Sequence, residues 1–304
     1  MKRREFLRTA CVVVSAAYLP GCGDSEDPGS LLNLQQPADG FSPRYARLDT
    51  ELSFGFASDG TRYGFSADQH TLQRFGPSGE VVWTVSGPST EPGATFTPLA
   101  LAIDSSERVY LVDSAGQGVQ LFSAQGAFLR RLGDGDTVRY PKGVAVRDDR
   151  LYVSEAVSAR ILVYSVDGTY IQSFGRRDSG PGSLNSPGSL AFDHQGLLHV
   201  LDEGALEILV FTPEGDFVER YGAASEEGKP GLLHPLSFDI DSAGFTYVAD
   251  AVHPAVLRIS PQTRQVQPFP VTTPEGLGAQ PVNLAIDPLT GDLWLTVIEG
   301  VLGV

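Results

Sequence analysis

The sequence predicts an all-β chain in which six similar units of four short strands close into a ring, a six-bladed β-propeller. Three observations predict it. A hairpin is written repeatedly: FSAQGAFLRRLG at 122–133, YSVDGTYIQSFG at 164–175, FTPEGDFVERYG at 211–222, and more loosely FGPSGEVVWTVSG from Phe75 to Gly87. One aromatic column, Tyr63, Tyr110, Tyr152, His199, Tyr247 and Trp294, recurs at spacings of 47, 42, 47, 48 and 47, the period of blades or solenoid repeats. The chain of 304 residues carries 34 Gly, 21 Pro and one Met, a composition suited to many strands and turns rather than long helices.

In chain order, residues 1–21 read as an export signal rather than as fold. Arg3-Arg4 followed by Phe6-Leu7 resembles a twin-arginine signal, with Lys2 where Ser or Thr is usual. The apolar stretch Ala10–Leu19 then ends in Leu19-Pro20-Gly21-Cys22, which resembles a bacterial lipobox. Cys22 is therefore the expected lipidated first residue, and residues 22–43, polar and turn-rich, the expected tether. Cleavage would remove Cys11, leaving no thiol pair for a disulfide. Loss of Lys2, Arg3, Arg4, Arg8 and Glu5 would move the formal charge from −15 to −18. So acidic a surface repels phosphate backbones and anionic headgroups, which argues against nucleic acid. The expected location is the bacterial envelope, on the periplasmic or outer-membrane side, held only by acyl chains.

The propeller is expected over residues 44–304. Within each unit a small-residue strand (LALAID, GVAV, SLAF, SFDI, NLAI) follows a proline at Pro98, Pro141, Pro187, Pro235 or Pro281, as suits a residue that cannot donate inside a ladder. Next comes the strand with the column aromatic (VYLVD, LYVSE, LHVLD, TYVAD, LWLTV), then a third strand, a glycine turn and a fourth. Gly79, Gly126, Gly168 and Gly215 supply the positive φ of that turn. Strands apolar at nearly every position fit sheets buried on both faces. A ring is favoured over an open solenoid because the sixth unit lacks its outer strand, whereas Tyr45–Phe56, ahead of the first complete unit, can supply one.

Strings such as SPGSLAFDHQGLLHVLDEGALEILVFTPEGDFVERYG resemble NHL repeats over residues 51–304. The pattern P-x-G-h-A-h-D-x-x-G-x-h-Y-V-x-D is kept in units two to five and weak in the first. Only Arg160 keeps the arginine usual in the family's third-strand approach. The resemblance implies six NHL-like blades, and a fold that hosts many functions.

Three residues past the column stand Asp113, Glu155, Asp202 and Asp250; Ser66 and Val297 break the series. Equal offsets place the acids at one height near the channel mouth. Two readings stand: each acid caps its own turn through backbone N–H groups, or the four form a ring of oxygen ligands for a hard cation such as Ca²⁺. No cofactor is otherwise expected. His199 breaks the aromatic column and Asp239 the column of inner alanines, and the two are expected to pair between neighbouring blades, since a buried acid needs a partner. The remaining histidines share no metal-ligand spacing. The loops DGDTVRYP, RRDSGPGSLNSP, ASEEGKPGLLHP and TTPEGLGAQP gather on the same rim and are the expected contact surface for a protein or small-molecule ligand. The favoured function is a monomeric, lipid-anchored binding or scaffold propeller with no catalytic residue. The alternative is a metal-assisted lyase or lactonase acting at the central channel.

Overall fold

The computed structural model describes residues 10–12, 46–49, 52–87, 97–113, 118–132, 138–223, 231–252, 255–270 and 279–299. Arg3, Arg4, Phe6, Leu7, Cys22, the tether at 22–43 and parts of three rim loops (134–137, 224–230 and 272–278) lie outside them.

The described strands form six four-stranded sheets. Five are contiguous antiparallel meanders, numbered here as blades one to five. Blade one holds β3 (Ser53–Phe56), β4 (Arg62–Ser66), β5 (Thr71–Phe75) and β6 (Val81–Ser86). Blade two holds β7 (Pro98–Ile103), β8 (Val109–Asp113), β9 (Gly118–Phe122) and β10 (Phe128–Leu132). Blade three holds β11 (Pro141–Arg147), β12 (Arg150–Glu155), β13 (Arg160–Ser165) and β14 (Tyr170–Phe174). Blade four holds β15 (Pro187–Phe192), β16 (Leu198–Asp202), β17 (Glu207–Phe211) and β18 (Phe217–Tyr221). Blade five holds β19 (Pro235–Ile240), β20 (Thr246–Asp250), β21 (Ala255–Ile259) and β22 (Val266–Pro270). The expected turn glycines adopt positive φ, at 85° for Gly79, 79° for Gly126, 88° for Gly168 and 98° for Gly215.

The sixth sheet differs in kind. It contains β1 (Ala10–Val12), β2 (Ala46–Asp49), β23 (Ala279–Ile286) and β24 (Leu293–Glu299), in the order β1-β2-β24-β23. β2 pairs with β24 in parallel, Ala46 opposite Leu293 and Asp49 opposite Thr296. This corrects the expectation of six four-stranded blades, the last closed by part of residues 44–56: five blades are contiguous meanders, the remaining strands form this composite sheet, and the segment divides between it and blade one. Ser53–Phe56 becomes the innermost strand of blade one because a short turn, with Gly60 at φ 81°, folds it locally onto Arg62–Ser66; a local hairpin costs less loop entropy than a pairing across the chain. β1 lies inside the stretch read as an export signal and pairs antiparallel with β2.

The core lies between blades rather than within them. Tyr110, Val112, Val119 and Leu121 of blade two meet Val144, Leu151, Val153 and Leu162 of blade three. Equivalent clusters join blades one and two, three and four, and four and five. Blades two, three and four are therefore buried on both faces, which is why their middle strands do not alternate. Each fully buried Leu or Val contributes about 1.5–3 kcal/mol. The inner strands touch in sequence, and β23 also touches β3. In blades two to five and in the β23–β24 pair, the register slips just after the leading proline, for example between Pro141 and Val144.

Candidate functional site

The inner strands β3, β7, β11, β15, β19 and β23 line a central channel of about 1040 Å³. Its upper mouth is the end where inner strands begin; its lower mouth lies at the turns into the second strands.

The four acids at equal offset are all fully buried, and none lines the channel. This corrects their expected position at the channel rim: each is used inside its own blade, and Asp202 and Asp250 tie an upper loop to a turn. Asp202 accepts from the backbone N–H groups of Asn185, Ser186, Gly204 and Ala205, at 2.6–3.1 Å. Asp250 accepts from Leu233, His234 and Val252. Asp113 accepts from Thr97 N–H and from the Gln120 side-chain amide. Glu155 reaches Ser158 and Arg160 Nε, the latter at 2.8 Å. In blade one Ser66 does a smaller version of the same work, accepting from Gln69 N–H. The offset arises because a carboxylate there reaches backward to the incoming loop and forward to its own turn, satisfying donors that burial would otherwise strand.

The column aromatics are buried too. Tyr110 and Tyr247 donate to Asp104 Oδ2 and Asp241 Oδ2, both at 3.1 Å. The other oxygen of each Asp receives its own turn, from Ser106 and Arg108 N–H in one case and from Ala243 and Phe245 N–H in the other. His199 stands in for tyrosine in this arrangement. Its Nε2 lies 3.2 Å from Asp193 Oδ2, and its Nδ1 lies 2.8 Å from the Tyr221 hydroxyl, which is 2.9 Å from Thr246 Oγ1. With the carboxylate accepting, Nε2 carries the hydrogen and Nδ1 accepts from Tyr221. Burial pushes the imidazole pKa below its ordinary value.

Asp239 does not meet His199, so the expected inner pair is corrected as well. Its register partner is Tyr247, at the level where Ala102, Ala145, Ala191 and Ala285 face their own column residues. Asp239 lines the channel and turns toward β23, accepting from Ile286 N–H at 2.9 Å and from Ile240 N–H at 2.8 Å. Burial pushes its carboxyl up to about 6.

Other polar groups, in the channel wall and just behind it, also stitch inner strands together. Ser154 Oγ accepts from Gly143 N–H and donates to Gly188 O, both at 2.7 Å. Ser237 donates to Asn283 Oδ1 at 2.7 Å. At the upper mouth Lys142 pairs with Glu203. A Cβ on Gly188 would lie 2.3 Å from Glu203 Oε1, so glycine is what lets that carboxylate reach the lysine.

The upper rim carries a feature that the sequence reading missed. Tyr140 is 59% exposed and sits at φ 55°. A bulky residue in the left-handed region is strained, by roughly 1–2 kcal/mol, and Pro141 after it favours extended backbone instead. The equivalent residues before Pro98, Pro187 and Pro235 are Thr97, Ser186 and His234. An aromatic at that one place, in RYPKG, was the available signal.

No family model matches the chain. Solved propellers resemble it as folds. A catalytically inactive virginiamycin B lyase from Staphylococcus aureus, solved with quinupristin, matches at 14% identity, covering 88% of this chain and 82% of that one, with a TM-score of 0.59. A streptogramin B lyase matches at 12% identity over 88% and 95%, with a TM-score of 0.61. A chain of a nidogen/laminin complex matches at 16% over the same shares, with a TM-score of 0.60. The chain is an all-β propeller of four-stranded blades.

Proposed function

We propose that this chain is a lipid-anchored envelope protein whose NHL-type propeller is a six-bladed ring, closed by the pairing of β2 with β24, that binds a partner through its upper rim loops. The carrying observation is how the channel's polar groups are used. Lys142–Glu203, Ser237–Asn283 and Asp239–Ile286 all serve seams between neighbouring inner strands. Side chains committed to such seams are costly to redirect toward a reacting group. The likeness to a propeller crystallised within a nidogen/laminin complex supports a binding role.

Two measurements test this. Cys22→Ala is expected to release soluble protein from membranes; continued membrane association defeats the anchor. A photo-crosslinking residue at Val157 on the rim is expected to give one discrete adduct in the producing cell, and the same residue at Tyr170 on an outer strand none. Equal labelling from both positions defeats the rim as binding surface.

A second reading, a metal-assisted lyase or lactonase working in the channel, is favoured by the likeness to lyases and by the channel's volume. Among the described residues no three His, Cys, Asp or Glu side chains gather in metal-binding geometry. Metal analysis of the purified full chain decides: a stoichiometric metal lost in Asp239→Asn supports the lyase.

A further inference from the structure

We propose that the upper face of blades three and four docks an acidic polypeptide segment that carries an aromatic or apolar side chain. The inference deepens the binding reading and rests on it.

Four side chains form the surface: Arg139, Tyr140, Val157 and Arg177. Hydrogen bonds join the segments of Tyr140, Ala156 and Arg177, with Arg139 and Val157 their immediate chain neighbours. Tyr140 O accepts from Ala156 N–H at 3.4 Å, and Arg177 Nη2 lies 3.4 Å from Ala156 O and 2.8 Å from Asn185 O. Tyr140 and Val157, on either side of that link, are 59% and 50% exposed. Both are apolar surfaces left in water on adjoining loops, and the tyrosine is held there in a backbone conformation its residue type disfavours. Strain of this kind persists where surroundings enforce it and clusters at ligand clamps.

Charge selects the partner. The chain carries a net charge of −15, yet two guanidinium groups here face no carboxylate among the described residues. Three described carboxylates nearby are already used: Glu155 by Arg160, Asp178 by Arg176, Glu203 by Lys142. Arg177 reaches only carbonyl oxygens, and Arg139, exposed, has no carboxylate partner among the described residues. Two guanidinium groups flanking an exposed phenol and an isopropyl group suit carboxylates interleaved with an aromatic or aliphatic group. An anionic membrane would also satisfy the arginines, but the apolar contact beside them is two side chains, Tyr140 and Val157, which is sized for one aromatic or aliphatic group of a polypeptide.

The test uses the full chain in detergent and three probes: a random Glu–Tyr copolymer, poly-Glu, and phosphatidylglycerol vesicles. The copolymer is expected to bind more tightly than poly-Glu, and the vesicles not at all. The double variant Arg139→Glu/Arg177→Glu is expected to weaken copolymer binding about tenfold or more. Tyr140→Gly relieves the strained φ, so it is expected to keep or raise the melting temperature while weakening binding about threefold. Copolymer affinity unchanged in both variants removes this patch, and leaves the rim reading to the crosslinking experiment. Vesicle binding abolished by the double variant overturns the proposal in favour of a membrane face. Self-association of the full chain abolished by it overturns the proposal in favour of a second copy.

Discussion

Asp202 shows how a single carboxylate can hold a loop, a strand end and a turn at once. It is fully buried and accepts from four backbone N–H groups, two of them 16 and 17 residues earlier. Asp202→Ala would strand those donors, and stranded buried donors cost about 1–3 kcal/mol each. Partial rewetting of the turn reduces the sum, so a loss of about 3 kcal/mol is expected, read as a melting temperature lower by about 6–12 °C. A fall under about 2 °C would mean that the loop does not depend on this acid. Two further residues give opposite pH trends. Asp239 is pushed up to about 6, so its protonated form favours the fold; that contribution is full below its ordinary 3.8 and is lost as pH rises through about 6. His199 is pushed down, so its contribution is full above 6.5 and is lost as pH falls. Asp239→Asn is therefore expected to stabilise by about 1–2 kcal/mol at pH 7.5 and by nothing at pH 4. His199→Tyr, which restores the column residue, is expected to flatten the loss of stability between pH 6.5 and 5. Equal effects of either substitution at both ends of its pH range would contradict these assignments. The offset of the acids was legible in the sequence, and so was the breaking of two columns. The partners were not, because Asp202 reaches an earlier loop and His199 reaches Tyr221 and Asp193 rather than the other oddity, Asp239.

The strands themselves were legible because proline, aromatic, acid and glycine recur in one order. Their close approaches were not. Gly143 is such a case: a Cβ there would lie 2.3 Å from Gly188 O, the backbone of the next inner strand. Backbone cannot step aside as a side-chain tip can, so Gly143→Ala would push blades three and four apart and break the Ser154 bridge between them. The expected cost is about 3 kcal/mol or more, measured by urea unfolding. Gly180→Ala, where the nearest atom is an Asp178 oxygen at 3.5 Å, is the control and is expected to change little. An equal response from the two positions would remove the close approach as the cause. The direction of β2 was also illegible. Alternating or apolar patterning marks a strand but carries no sign of which way it runs, so the parallel pairing with β24 had no sequence signal.

Across the whole molecule, the β2–β24 ladder and the side chain of Thr296 join early and late chain. Thr296 in β24 donates to Leu52 O at 2.7 Å, beside the start of blade one, with an intervening separation of 244 residues. Thr296→Val keeps the shape and loses the donor, so about 1 kcal/mol is expected to go, lowering the melting temperature by about 2–4 °C without splitting the transition. Two resolved transitions would show that the first and last strands are not coupled to the rest.

The pairing of residues 46–49 with residues 293–296 has a consequence during synthesis. A ribosome has to deliver nearly every strand before β2 meets its neighbour, so each shorter nascent chain presents an unmatched strand margin for as long as translation lasts. The same arrangement makes clipping near residue 49 and clipping near residue 293 equivalent injuries, since either cut unseats the same sheet.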